Sequence, residues 1–79
     1  MTTEQIFAAL TEVMRDVFDD DSLQATPAMT AADVEAWDSL GNVRLFLAVE
    51  QRFGVRIRAA EINEVQNVGE LVALIERKR

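Results

Sequence analysis

Apolar residues recur at three- and four-residue intervals in two long segments, one near the start of the chain and one in its middle. The first segment predicts a helix over residues 3–18, capped by Thr2. The second predicts a helix over residues 39–53, capped by Asp38 and ended by Gly54, which favours the left-handed conformation. The chain is therefore expected to place two amphipathic helices in one core.

The segment between these two helices has no helical period, and Asp19, Asp20, Asp21 and Pro27 mark it as a loop. We expect it to pack on the core through its three larger apolar residues, with one short helical turn beginning at Thr30. The three apolar residues are Leu23, Met29 and Val34.

Beyond Gly54, residues 55–58 alternate apolar residues with arginine, but four residues without a partner strand cannot form a sheet. We interpret them as an extended linker. Residues 59–65 predict a short third helix, and Asn67 predicts the cap of a last helix with Val68, Leu71, Val72 and Ile75 on its apolar face. The expected fold is all-α: a four-helix bundle of three longer helices and a short third one, forming a single domain over residues 1–79.

Composition excludes several kinds of chemistry. The 79 residues include no cysteine and no histidine, so a disulfide framework, a cysteine nucleophile and a zinc site are not expected. The net charge of −6 opposes nucleic-acid binding. Residues 1–38 carry nine acids and one base, whereas residues 39–79 carry five acids and seven bases. No apolar run predicts a membrane span and no export signal is visible, so we expect a cytoplasmic monomer.

The tripeptide Asp38-Ser39-Leu40 is the candidate for chemistry, because it places a hydroxyl at a predicted helix start. Asp38 would cap the helix and leave Ser39 in the first turn, where a phosphoester would meet a favourable helix dipole. The tripeptide alone is a weak signal, since a good helix cap followed by a helix-forming residue occurs often by chance.

The residues around this tripeptide, with those that end the second helix, resemble the acyl carrier protein family and its peptidyl carrier relatives. The resemblance spans nearly the whole chain and is carried mainly by two segments: Trp37-Asp38-Ser39-Leu40-Gly41-Asn42-Val43-Arg44-Leu45 and Glu50-Gln51-Arg52-Phe53-Gly54-Val55.

The resemblance implies that Ser39 carries 4′-phosphopantetheine, transferred from coenzyme A by a phosphopantetheinyl transferase, with Asp38 and Leu40 beside it. The arm would hold an acyl or aminoacyl thioester for a loading ligase or adenylation enzyme and for a downstream synthase or transferase. The chain would then be a carrier rather than an enzyme, and Met1 with complete terminal helices favours a free-standing one.

Two departures from fatty-acid carriers bear on partner choice. Trp37 stands where a small residue is common, and the second helix keeps only Glu50 as an acid where those carriers are densely acidic. Purely electrostatic docking is therefore in doubt. The residues predicted to contact partners are Trp37, Arg44, Leu47, Gln51, Ile57 and Ile62. Burial is the competing prediction for Trp37, as a loop anchor, and for the apolar residues Leu40, Leu47, Ile57 and Ile62. For Arg44 and Arg52 the competing prediction is a solvated helix face without a partner role.

Three other functions stay open. The first is an aminoacyl or peptidyl carrier loaded by an adenylation enzyme, which Trp37 and Arg44 favour weakly. The second is a helical adaptor without a prosthetic group. The third, a small serine hydrolase, has poor support because the chain has no histidine to act as a general base and no glycine-framed nucleophile.

Overall fold

The computed structural model describes residues 1–79 and contains four α-helices joined by loops, with no strand. The helices are α1 (Thr3–Val17), α2 (Ser39–Phe53), α3 (Ala59–Glu64) and α4 (Val68–Lys78), and a single 3₁₀ turn (Ala31–Asp33) interrupts the long loop. The predicted all-α fold with a short third helix is confirmed, and so are the four segments that form helices. No helix is long and apolar enough to cross a membrane.

Local side chains fix most of the helix ends. The Thr2 hydroxyl accepts a hydrogen bond from the Gln5 N–H, while the Gln5 side chain accepts one from the Thr2 N–H, which forms a capping box at α1. Asn67 caps α4 by accepting the Glu70 N–H at 2.8 Å. Gly54 ends α2 with a left-handed φ of 64°. These caps lie where the sequence predicts them.

The core lies between α1, α2 and α4. Its fully buried side chains come from all three of these helices: Ile6, Leu10, Met14, Leu45, Val49, Val68, Leu71, Val72 and Ile75. The short α3 has no buried residue and covers one edge of the core with the half-buried Ile62, followed by Val65. Burial of the apolar faces of the three longer helices is thus the main source of stability.

The first part of the long loop is hydrogen-bonded to α1. The Arg15 side chain donates from Nε to the Leu23 carbonyl at 2.6 Å. The buried Thr11 hydroxyl accepts the Ala25 N–H at 3.2 Å, which satisfies a polar group inside the core. Leu23 is itself buried, and Met29 and Val34 pack partly against the core, so the expected packing of this loop is confirmed.

The same loop also caps α4. The carbonyl groups of Pro27 and Met29 accept the N–H groups of Gly69 and Val68, both at 2.9 Å. These N–H groups lie in the first turn of α4, where the helix itself supplies no acceptor. The loop therefore links the end of α1 to the start of α4 before it reaches α2.

Two glutamates hold the segment that follows α2. Glu50 accepts the Ile57 N–H at 2.7 Å and so fastens the extended linker to α2. In α3, Glu61 accepts the Arg58 N–H at 2.9 Å and pairs with Lys78 of α4, also at 2.9 Å. The backbone bond from Arg58, followed by the Lys78 bond, holds the pKa of Glu61 below its ordinary value of 4.5.

The lowered pKa of Glu61 predicts how the contribution of this residue to the stability of the fold depends on pH. A carboxylate whose pKa is lower in the folded state stabilises the fold above its unfolded pKa, and this stabilisation is lost as the pH falls through the folded value. We expect Glu61→Gln to lower the free energy of unfolding at pH 7, with a difference from the wild type that shrinks below pH 4.5. Urea unfolding followed by circular dichroism from pH 7 to 3 measures this. Glu64→Gln, which removes an exposed glutamate of the same helix, is the control; equal effects of the two variants at every pH would contradict the assignment.

Candidate functional site

The first turn of α2 is fixed by Asp38. This residue is extended, its carboxylate accepts the Gly41 N–H at 2.8 Å, and its carbonyl accepts the Asn42 N–H at 2.8 Å. The side chain thus satisfies one N–H that the helix leaves free, and the carbonyl closes the first helical turn. The predicted cap is confirmed, and it makes Ser39 the first residue of the helix.

Ser39 is exposed, and its hydroxyl makes no hydrogen bond within the protein. The backbone N–H groups of Ser39 and Leu40 also have no acceptor in the chain, because they belong to the first turn. They lie at the positive end of the helix dipole, where an anionic group is favoured. A phosphodiester on this hydroxyl therefore suits the site, whereas no side chain is hydrogen-bonded to the hydroxyl to act as a base.

Trp37 anchors the loop immediately before the site. Its side chain is 7% exposed, its ring stacks on Phe18 with centroids 5.8 Å apart, and its indole N–H donates to Asn42 Oδ1 at 2.9 Å. The predicted anchor role is confirmed. The expectation that Trp37 contacts partners is withdrawn, because the ring is covered by the protein's own core.

Gly41 allows the loop to approach α2 closely. A Cβ atom at this position would overlap the backbone oxygen of Ala36 and lie 3.2 Å from the Phe18 ring. No packing role for Gly41 was predicted from the sequence. The available signal was a glycine inside a helix, which costs about 1 kcal/mol relative to alanine unless packing requires it.

The tripeptide Asp-Ser-Leu occurs twice in this chain, and the second copy has a different structure. In Asp21-Ser22-Leu23, the Ser22 hydroxyl donates to Asp20 at 2.6 Å and the Ser22 N–H donates to the same oxygen at 3.0 Å. These two bonds lower the pKa of Asp20. Leu23 is buried and no helix starts there. Ser22 is therefore held within a turn, while Ser39 is free at a helix start.

An apolar stripe continues from Ser39 along the outer face of α2. Leu40, Val43 and Leu47 are 62%, 55% and 55% exposed, at positions that recur every three or four residues. Gln51, one turn beyond Leu47, is also exposed. Burial was the competing prediction for Leu40 and Leu47, and the structure shows that both side chains are exposed. Val43 belongs to the same stripe.

The remaining residues predicted to contact partners differ in exposure. Arg44 is exposed and makes no ion pair, and Ile62 is half-buried. Ile57 is only 7% exposed and belongs to the core, so its predicted partner contact is withdrawn. Arg52, treated as part of a solvated face, pairs with Glu12 of α1 at 3.1 Å through two exposed side chains, an arrangement worth little to stability.

A helical bundle that presents an unpaired serine at a capped helix start has the geometry of a carrier for a covalently attached group. The family model for the phosphopantetheine attachment site matches residues 5–75. The chain belongs to this family. The Thermotoga maritima acyl carrier protein is 31% identical over 95% of this chain and 93% of its own length. The Mycolicibacterium smegmatis meromycolate extension acyl carrier protein is 30% identical over 96% of this chain and 77% of its own length.

A comparison with solved structures also finds an acyl carrier protein. The solution structure of a holo acyl carrier protein from Geobacter metallireducens matches with a TM-score of 0.86 and 38% identity, over 91% of this chain and 83% of that one. The predicted family and fold are confirmed. The chain has a carrier function in fatty-acid or specialised biosynthesis, with 4′-phosphopantetheine as its covalent cofactor.

The close approach at Gly41 generates a stability prediction. We expect Gly41→Ala to lower the free energy of unfolding by about 1–3 kcal/mol, because the added Cβ displaces the Ala36 backbone and outweighs alanine's better helix propensity. Urea unfolding followed by circular dichroism measures the loss. Val43→Ala, at an exposed position of the same helix, should change stability by no more than about 0.5 kcal/mol. A Gly41→Ala variant as stable as the wild type would show that the loop does not lie this close.

The Asp38 cap generates a second stability prediction for this site. Replacing Asp38 with alanine removes the acceptor for the Gly41 N–H and should cost about 1 kcal/mol, whereas Asp38→Asn keeps an acceptor and should cost much less. Both variants are compared by thermal and urea unfolding. Equal losses for alanine and asparagine would mean that the carboxylate charge, and not the capping bond, stabilises the helix start.

Proposed function

We propose that Ser39 is the residue to which 4′-phosphopantetheine is attached. The observation that carries this proposal is the state of the two serine hydroxyls: that of Ser39 is exposed and unpaired beside two free backbone N–H groups, whereas that of Ser22 is engaged with Asp20. The threonines of the chain are not candidates, because the resemblance implies that the attachment residue is a serine.

The residues around Ser39 have distinct parts in this proposal. When bound, the cofactor supplies the thiol on which an acyl group is held as a thioester, in a chain that has no cysteine of its own. Ser39 holds the group, and the N–H groups of Ser39 and Leu40 face its negative charge. Asp38 acts as a positioning residue, because its bond to Gly41 fixes the first turn. Catalysis resides in the partner enzymes, and this chain is their substrate.

The surface that partners contact is proposed to be the apolar stripe of α2. Leu40, Val43 and Leu47 are exposed without any cover in the protein, and exposed apolar groups arranged on one face are typical of interaction sites. Arg44 and Gln51 flank this stripe, and Ile62 lies at the edge of α3. The proposed partners are a phosphopantetheinyl transferase, a loading ligase or adenylation enzyme, and a downstream synthase or transferase; the cytoplasm stays our prediction for the compartment.

The choice between acyl and aminoacyl cargo follows from partners rather than from the site. Trp37 favoured an aminoacyl carrier in the sequence analysis, but its packing on Phe18 and its bond to Asn42 account for it structurally. We therefore propose an acyl cargo, as the names of the relatives indicate. An adaptor without a prosthetic group is the alternative that failure of loading would favour.

The attachment is tested by the intact mass of the protein after incubation with coenzyme A, magnesium and a broad-specificity phosphopantetheinyl transferase. The wild type is expected to gain one phosphopantetheine. Ser39→Ala should gain nothing, and Ser22→Ala, the matched control in the same tripeptide, should be loaded like the wild type.

Three results would overturn the proposal. Loading of Ser39→Ala would place the attachment elsewhere, and loss of loading in Ser22→Ala would implicate the turn instead. No gain by the wild type, with the transferase active on a known carrier protein, would favour the adaptor.

A further inference from the structure

One stretch of this acidic chain, from α2 to the start of α3, has a positive net charge. Residues 39–60 carry four arginines and a single acid, in a chain whose net charge is −6. That acid, Glu50, is directed to the Ile57 N–H, which its carboxylate bonds at 2.7 Å. One of the four arginines, Arg52, is paired with Glu12. The local charge of α2 and the linker is therefore opposite to that of the whole chain.

An open groove lies within this stretch of the chain. It has a volume of about 700 Å³ and is formed by the last turns of α2, the linker and the first residue of α3. Apolar lining comes from Leu47, Val55, Ile57 and Ala59, and positive charge comes from Arg56 and Arg58. Glu50 also lines the groove, where its carboxylate is bonded to the Ile57 N–H. The groove shares Leu47 with the exposed stripe of α2, so both belong to one continuous surface.

Neither arginine of the groove is held in a close ion pair. Arg56 is exposed and makes no hydrogen bond or ion pair, and the Arg58 side chain is 82% exposed, with its Nε 3.9 Å from Glu61. Glu61 is already bonded to Lys78 at 2.9 Å. By comparison, Arg15 and Arg79 are bonded to backbone carbonyls. Exposed guanidinium groups that lack a close ion pair and lie beside apolar side chains fit a carboxylate next to an apolar residue.

We propose that this groove docks an acidic segment of a partner enzyme, whose carboxylates pair with Arg56 and Arg58 while an adjacent apolar side chain packs against Leu47. The inference rests on the proposed carrier function, since it names the partner chemistry that the stripe of α2 would meet. Long-range repulsion from the acidic remainder of the chain disfavours an acidic partner everywhere except at this surface. The groove thus selects both the partner and its orientation.

The test is a nuclear magnetic resonance titration of the unmodified full chain, read at the backbone amides of Leu47, Gln51, Arg56 and Arg58. The probe is a short amphipathic helical peptide whose leucine face is flanked by glutamates, and its control replaces every glutamate with lysine. We expect saturable shifts at these amides with the glutamate peptide and at least tenfold weaker binding there with the lysine peptide. Net charge alone would favour the opposite order.

Charge-reversed variants then locate the interaction. Arg56→Glu combined with Arg58→Glu should weaken the glutamate peptide at least tenfold, whereas Arg77→Glu, at an exposed arginine of α4 outside the groove, should change its affinity less than twofold. Arg56→Glu alone, at a side chain without a hydrogen bond or ion pair, should weaken binding at least threefold. Circular dichroism confirms that each variant is folded.

Several outcomes would overturn the docking proposal. These are equal binding of the two peptides at the groove, no saturable shift with the glutamate peptide, or groove variants no weaker than Arg77→Glu. Because the titration uses the unmodified chain, its outcome is separate from loading: binding at the groove by a chain that accepts no phosphopantetheine would overturn the carrier function and leave the groove's acid preference standing.

Discussion

The contact between the end of the long loop and the first turn of α2 is the constraint on which the site depends. Gly41 lets the Ala36 backbone lie against the helix, and Trp37 closes the contact by stacking on Phe18 and donating to Asn42. With the loop held there, Asp38 is placed to cap α2. The helix therefore begins at Ser39 in a fixed direction, with the Ser39 side chain in solvent between the buried residues Trp37 and Gly41.

The rest of the fold supports this contact from a distance. The loop is bonded to α1 through Arg15 and Thr11, and its carbonyl groups at Pro27 and Met29 cap α4. The two helices that pack against α1 are thus also connected through the loop that carries Trp37. A small domain has a limited core, so backbone groups satisfied by a loop add order where buried area is scarce. On the far side of α2, Glu50 and Glu61 hold the linker and α3 in the same way and leave the Arg56 and Arg58 side chains exposed.

The sequence predicted the helices and their caps because both depend on residues close together in the chain. The period of apolar residues placed α2, and Asp38, Gly54 and Asn67 marked helix ends. The local sequence pattern could not show which apolar residues are covered by a neighbouring element. Leu40 and Val43 are therefore exposed while Trp37 and Ile57 are buried, and the fit at Gly41 depends on a loop that no local pattern describes. The repeated Asp-Ser-Leu tripeptide makes the same point, since only the fold distinguishes Ser22 from Ser39.

The central claim is that the fold itself, before any cofactor or partner binds, fixes the first turn of α2 and leaves Ser39 free. Amide hydrogen exchange of the unmodified protein, followed by nuclear magnetic resonance, tests it most directly. The account predicts protection of the Gly41 amide and the Trp37 indole N–H, which are hydrogen-bonded, and fast exchange of the Ser39 and Leu40 amides, which are not. Unprotected exchange at all four groups would show that this turn is not formed in the free protein and would contradict the account.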